Sequence, residues 1–535
     1  MKRFLKYAAP ALALALNISS CSDLATDPMD QNVTTGQKNE AKEMNPEMAL
    51  AGVSGVAKTL NTYMTVLERH NDFGYPALML FSDCRGVDMV SPNSGYNWFA
   101  DSAELSDCNV NSDYTELLWG VLYQQVFASN AVLDEIKADT TDPFLQFYRA
   151  QALAFRSFDF MMLAQNYQFP YAGHQDDPCI MLITEENREE ATVKGCLRSS
   201  VAETYSRIID DLTEAINLLT ESGVRSSQVI SSQPKRFISL ATAYGLRARA
   251  NLLMENWADA ASDARAAITQ AGREGISPLS MAEAAQPGFN NIESHSWMWG
   301  IPVAETDRVV TSGIINFPSH MGSMNYGYAG VGAFRSINQA LFASIPATDV
   351  RRGWWLDADG ISTNLSAEWQ EYASGSGLPP FTQVKYAPYQ NELGTSNNAS
   401  DVPLMRIEEM YLIEAEATAM AGDPGTGAGL LSQFVSAYRD PSFSATSGSS
   451  EQVQDQVFTQ RRIELWGEGL TYYDFLRLNK GLDRTGAGFP DEWDYNIPAG
   501  SDLLRLPIPQ TEVQGNEAFR LANNNNKSAS RPVAQ

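Results

Sequence analysis

Histidine and cysteine are scarce in this chain, and most catalytic chemistry needs one or the other. The four histidines among 535 residues, His70, His174, His295 and His320, form no HExxH and no pair at helical metal-ligand spacing. A GxSxG nucleophile elbow and a Walker A loop are both missing, and the five cysteines include no CxxC. Basic residues are short as well, with 38 Lys and Arg against 64 Asp and Glu, a net charge of −26. Such a surface repels phosphate backbones and gains nothing from counterion release, which excludes a nucleic-acid binder. No run approaches the roughly 18 apolar residues of a membrane span. What is present is ordinary: 44% hydrophobic, 19% charged, 37 Gly and 25 Pro, a globular composition with many loops.

The first 21 residues read as an export leader. Lys2, Arg3 and Lys6 precede the apolar run Tyr7 to Leu16, then Ile18-Ser19-Ser20-Cys21 forms a lipobox in which the Cys21 thiol takes a lipid. Without the three leader cations the balance is 35 basic against 64 acidic residues, or −29. Residues 22–43 are polar and aperiodic and read as a tether. Lipidation at Cys21 leaves Cys84, Cys108, Cys179 and Cys196. In an exported chain these are candidate disulfide partners, with three connectivities open. The sequence-local one, Cys84 to Cys108 and Cys179 to Cys196, would contribute about 3 kcal/mol per loop; four buried free thiols are the alternative.

Helical periodicity dominates both flanks. Tyr114–Ile136 and Phe144–Tyr167 form one helix hairpin, and Val201–Leu219 follows with Tyr205, Ile208, Ile209, Leu212, Ile216 and Leu219 on one face. Phe237–Ala271 is an Ala-rich hairpin of tetratricopeptide length, broken at Asn256-Trp257. A further pair is predicted over Met405–Ala421 and Leu430–Tyr438, with Gly422-Asp423-Pro424 as the turn and Gly425-Thr426-Gly427-Ala428-Gly429 as an inter-helix loop. Another helix is predicted over Glu451–Gly467. Between about 277 and 402 the chain turns to Gly, Ser, Asn, Pro and aromatics, with a strand-like piece over Ser296–Val303. Residues 521–535 read as a loose tail.

Few motifs point to chemistry. Asp357-Ala358-Asp359-Gly360 begins a calcium loop whose later ligands are missing, and no metal or cofactor is predicted. A surface glycosidase would need a carboxylate pair, but 64 acidic residues make any chosen pair uninformative. The sequence Arg406-Ile407-Glu408-Glu409-Met410-Tyr411-Leu412-Ile413-Glu414-Ala415-Glu416-Ala417 and the sequence Gln460-Arg461-Arg462-Ile463-Glu464-Leu465-Trp466-Gly467-Glu468-Gly469, continuing through Tyr473-Asp474-Phe475-Leu476-Arg477, place Arg and Glu at helical spacing. Arg406 with Glu409, and Arg461 with Glu464 and Glu468, are predicted to pair along one helix face each, a structural role.

Together with the lipobox, the tetratricopeptide-like hairpins and the closing Leu506-Pro507-Ile508-Pro509-Gln510, these motifs resemble the SusD/RagB family of nutrient-binding lipoproteins over essentially the whole chain. The resemblance implies a predominantly α fold in which tetratricopeptide-like hairpins support an irregular, loop-rich ligand-binding half, one domain over residues 44–520. It implies a lipid-anchored protein of the outer membrane and cell surface that captures oligosaccharides without cleaving them and delivers them to a SusC-like TonB-dependent transporter. Peptide capture is the alternative within the family.

Sugars are gripped by aromatic platforms and hydrogen-bonding side chains. In the family the platforms come from early and middle loops, which resemblance places at Ser94–Phe99 and Asn316–Tyr328. The candidate ligand residues are Trp98, Tyr96, Tyr326 and Tyr328, with Asn97, Asn325 and His320 as polar partners and Asp83 and Arg85 beside them. Trp354 and Trp355 read as core.

Overall fold

The computed structural model describes residues 46–522 together with 526, 528–530 and 532. The leader, Cys21 and the tether lie outside the described residues. Numbering the scaffold helices in chain order, α1 is Pro46–Lys58, α2 Tyr75–Arg85, α3 Asp113–Glu135, α4 Pro143–Tyr167, α5 Val201–Ser222, α6 Leu240–Leu253, α7 Trp257–Arg273, α8 Ile407–Met420, α9 Pro424–Tyr438 and α10 Ser450–Glu464. Each packs on the next from α3 to α9, and α10 packs on α8, giving a stack of tetratricopeptide-like hairpins.

Local chemistry explains the boundaries. Asp142 caps α4 by accepting the N–H groups of Phe144 and Leu145 at 2.9 and 3.0 Å, with Pro143 at the first helical position. Helix α4 is then buried on nearly every face and forms the centre of the stack. Ser200 and Glu203 form a reciprocal capping box at the start of α5, whose predicted stripe is buried except for Ile209, which is half-buried. In α6 and α7 the alanines Ala241, Ala248, Ala260, Ala264 and Ala267 have no exposed surface and let the two backbones close up.

Several boundaries differ from the prediction, two of them with a clear cause. Met405 belongs to a strand, Val402–Arg406, so α8 starts later. Gly425–Gly429, predicted as a loop, is the first turns of α9: Asp423 accepts the Thr426 N–H at 2.9 Å and Pro424 starts the helix. Gly427 serves packing there, since a Cβ on it would lie 2.6 Å from Ala419 Cβ.

The strands are short antiparallel pairs. Met89–Val90 (β1) pairs with Ser336–Ile337 (β3), and Trp297–Ile301 (β2) pairs with Val402–Arg406 (β4). The second pair closes the loop-rich segment on itself just before α8. The described part of the C-terminal segment is tied down rather than loose: Asn526 exchanges two hydrogen bonds with the backbone of Ile508, at 2.7 and 2.8 Å.

The four cysteines are free thiols, which corrects the disulfide expectation. Each sits in its own environment. Cys84 Sγ faces Met89 Sδ at 4.0 Å, Cys108 Sγ accepts from Arg85 at 2.9 Å, and Cys196 N–H bonds Asn516 at 3.1 Å. Cys179 is buried, and burial pushes its thiol up to about 12.

The Arg and Glu motifs also pair differently from the prediction. Glu464 meets Arg351, Arg406 and Arg439 at 3.2, 3.0 and 2.7 Å, and Glu468 meets Lys385 and Arg406 at 2.7 and 2.8 Å. Glu409 pairs with Arg249 at 2.6 Å, and Arg461 with Asp474 at 2.7 Å. Arg406 ends β4 in extended conformation, so its side chain reaches across to the end of α10 instead of running along α8. Burial alone would raise Glu464, but Arg439, Arg406 and Arg351 hold it well below the usual carboxylate range.

Candidate ligand-binding site

The β1–β3 pair brings together loops far apart in sequence. Strand β1 runs directly into residues 91–99, and β3 follows directly on the segment 316–335. The two loops carry a patch of exposed rings: Tyr96 is 52% exposed, Trp98 37% and Tyr326 58%. These are three of the five exposed large aromatic side chains among the described residues, and Phe127 and Phe144 lie apart on α3 and α4.

Beneath the patch lies a column of rings. Trp98 stacks on His70 with centroids 4.7 Å apart and planes 22° from parallel. His70 Nδ1 and the Tyr328 hydroxyl share a hydrogen bond, and Tyr328 stacks on His320 at 4.7 Å, which stacks on Phe73 at 5.3 Å. Tyr96 approaches Tyr328 from the other side at 6.4 Å. Gly332, at φ +148°, makes room for it, since a Cβ there would meet the Tyr96 ring at 3.1 Å. Burial lowers His70 below the usual imidazole range and, with the Arg335 charge, holds His320 well below it, so both rings stack as neutral groups near pH 7.

Of the nine predicted ligand residues, Tyr96, Trp98 and Tyr326 face outward and Tyr328 lies just under them with most of its ring covered. The predicted polar partners do not reach the surface. Asn97 is buried, donating to Pro92 O at 3.1 Å while its Oδ1 accepts from Phe99 N–H at 3.2 Å and Arg335 at 3.1 Å. Asn325 is buried against Pro318 O and Asn398 Oδ1 at 3.0 and 2.5 Å. His320 has no exposed surface and donates from Nε2 to His70 O at 3.0 Å. Asp83 accepts the Gly469 N–H at 2.9 Å, and burial pushes its carboxyl up to about 8. Arg85 is closed in an ion pair with Asp107. Asn97, Asn325 and His320 tie the two loops to their surroundings, whereas Asp83 and Arg85 belong to α2 and bond residues outside both loops. Sequence alternation explains the division within Ser94–Phe99: Tyr96 and Trp98 point out, Asn97 and Phe99 point in.

His70 and Asn71 were not singled out from sequence. Asn71 donates to Trp98 O at 3.2 Å, and the Asp72 carboxylate gathers the N–H groups of Val66, Leu67 and Glu68 at 2.8, 2.6 and 3.2 Å to shape that loop. Nothing in the local pattern around His70 marks it, because its partners come from residues 98 and 328. Trp354 and Trp355 are core, as predicted.

Larger concavities lie on the helical side, a cleft of 570 Å³ among α5, α6 and α7 and one of 480 Å³ around Lys235 and Arg273. They are separate from the aromatic patch, which is an open platform. Among the described residues no three His, Cys, Asp or Glu side chains gather as a metal site, and no helix is long and apolar enough to cross a membrane.

Comparison with known proteins agrees with this architecture. Residues 43–252 match a family described as SusD-like, starch-binding associating with outer membrane, and residues 360–526 match the SusD family. A SusD-like protein of Formosa agariphila is 26% identical over 134 residues, which spans 23% of this chain and 27% of that protein. A SusD-like carbohydrate binding protein from Bacteroides vulgatus superposes with a TM-score of 0.71 at 23% identity, covering 89% of this chain and 97% of that one. A laminarin binding SusD-like protein gives a TM-score of 0.62 at 17% identity, covering 89% and 98%. Surface glycan-binding protein A from Bacteroides thetaiotaomicron, in complex with laminarihexaose, gives 0.57 at 16% identity, covering 88% and 97%.

Proposed function

The chain belongs to the SusD family, and from that premise we propose that it is a carbohydrate-binding protein of the outer cell surface, working by capture rather than catalysis. The observation that carries this reading is the clustering of Tyr96, Trp98 and Tyr326 over a stacked aromatic column. The apolar C–H face of a sugar ring stacks on such surfaces, and the open shape suits a chain of sugars better than an enclosed small molecule. Relatives whose names record glycan or laminarin binding support the ligand class. In this reading Cys21 carries a lipid anchor, and the bound oligosaccharide passes to a SusC-like TonB-dependent transporter.

The test is titration calorimetry of the protein lacking residues 1–21 against plant, host and microbial oligosaccharides, with a peptide digest alongside. Binding of one glycan class, weakened about tenfold or more in Trp98→Ala, supports the reading. A heat signal from peptides alone replaces it with peptide capture. Turnover of a glycan, abolished by one carboxylate substitution, replaces it with a glycosidase.

A further inference from the structure

Six arginines rank among the largest fully buried side chains, and five of them, Arg85, Arg156, Arg351, Arg406 and Arg439, are ion-paired. Arg335 is the exception: among the described residues no carboxylate pairs with it, although it has no exposed surface. Arg484, also unpaired with a carboxylate, spends its N–H groups on the backbone carbonyls of Arg85, Gly86 and Ala103. Arg335 makes fewer bonds. Its Nε donates to His320 O at 3.0 Å, its Nη1 donates to Asn97 Oδ1 at 3.1 Å, and its Nη2 has no partner. Its guanidinium lies 5.7 Å from the Phe99 ring centroid.

Burying an unpaired cation is costly, and a methionine of similar volume would avoid that cost. What the guanidinium does here, and an apolar side chain would not, is bond one loop of the aromatic patch to the other. Asn97 lies between Tyr96 and Trp98, and His320 stacks under Tyr328. We propose that Arg335 is a positioning residue for the ligand face, a buried latch that acts through Asn97 to hold Trp98 and Tyr96 at a set spacing from Tyr328. This rests on the carbohydrate-binding reading only for its consequence, not for the latch itself.

The experiment uses protein labelled with 5-fluorotryptophan, in wild type, Arg335→Lys, Asn97→Ala and the double variant. The Trp98 fluorine resonance is assigned with Trp98→Phe, and that of the buried Trp299 serves as reference. Lysine keeps the charge but cannot bond both loops. The latch predicts that the Trp98 resonance shifts in both single variants, no further in the double, while Trp299 stays in place. It also predicts that affinity for laminarihexaose, or for whichever panel glycan the wild type binds, falls about tenfold in each single variant and no more in the double. An unmoved Trp98 resonance in folded Arg335→Lys, or additive shifts in the double variant, overturns the proposal. Should Arg335→Lys fail to fold, Asn97→Ala decides alone, since a latch acting through Asn97 requires its Trp98 signal to move. Absence of glycan binding by the wild type would remove the function proposed above, while the fluorine signal still decides the latch.

Discussion

Two buried polar regions of this molecule are built on opposite plans. Where α8 meets α10, the central charges are multiply paired: Glu464 alone meets three arginines, and Arg406 meets three glutamates. Under the ligand face, Arg335 has no carboxylate partner among the described residues, and His320 Nδ1, Asn325 Oδ1 and Arg335 Nη2 have no hydrogen-bond partner among them. The first arrangement is redundant and locks one packing. The second leaves a platform whose geometry depends on a few contacts, so small changes there alter shape before stability.

The largest expected effect is in the redundant region. Glu464→Gln leaves the buried Arg351, Arg406 and Arg439 short of a charge partner, so stability should fall by about 3–5 kcal/mol, measured by urea unfolding. An unchanged midpoint would break the contrast. Next, Gly427→Ala forces a Cβ against Ala419 and should destabilise by about 1–3 kcal/mol, seen in the same measurement.

The pH dependence separates groups of opposite sign. Burial would raise Glu464, Glu468 and Asp474, but their cationic neighbours hold all three below the usual carboxylate range. Their stabilisation is therefore full above the unfolded values of 4.5 for Glu and 3.8 for Asp and is lost as pH falls through the lower folded values. Thermal stability should drop steeply below roughly pH 4. Asp83 acts the other way: raised from 3.8 to about 8, it favours the folded state least once pH exceeds 8, so stability should decline between about pH 4 and 8. Asp83→Asn should flatten that decline, and an unchanged melting-temperature slope would show that Asp83 does not carry it.

The smallest expected effect on stability comes from the ligand face. Tyr96→Ala and Tyr326→Ala remove exposed rings and should change unfolding by less than about 1 kcal/mol while weakening glycan affinity, the reverse of the interior variants. A large loss of stability in either would mean that the patch is core rather than platform.

Reading the sequence went furthest where a signal is local. The stripe Tyr205, Ile208, Leu212, Ile216 and Leu219 and the alanines of α6 and α7 follow from neighbours within one element. It went wrong where a glycine serves tertiary packing, as Gly427 does within Gly425–Gly429, a stretch that reads as loop until α8 is placed against it. It also went wrong at Asn97, Asn325, His320, Asp83 and Arg85, whose polarity suggested ligand contact but whose bonds are spent on distant backbone and side chains.

The sequence by itself determined the helical scaffold, the loop-rich character of the segment between about 277 and 402, the acidic balance and the family motifs, because periodicity, composition and short patterns are properties of neighbouring residues. Only the tertiary structure decided which charges pair, that the cysteines stay free, and that His70, Trp98 and Tyr328 meet. These depend on contacts such as Met89 with Ile337, which join residues far apart along the chain. The free energy of such contacts comes from excluding water between surfaces that no local pattern brings together.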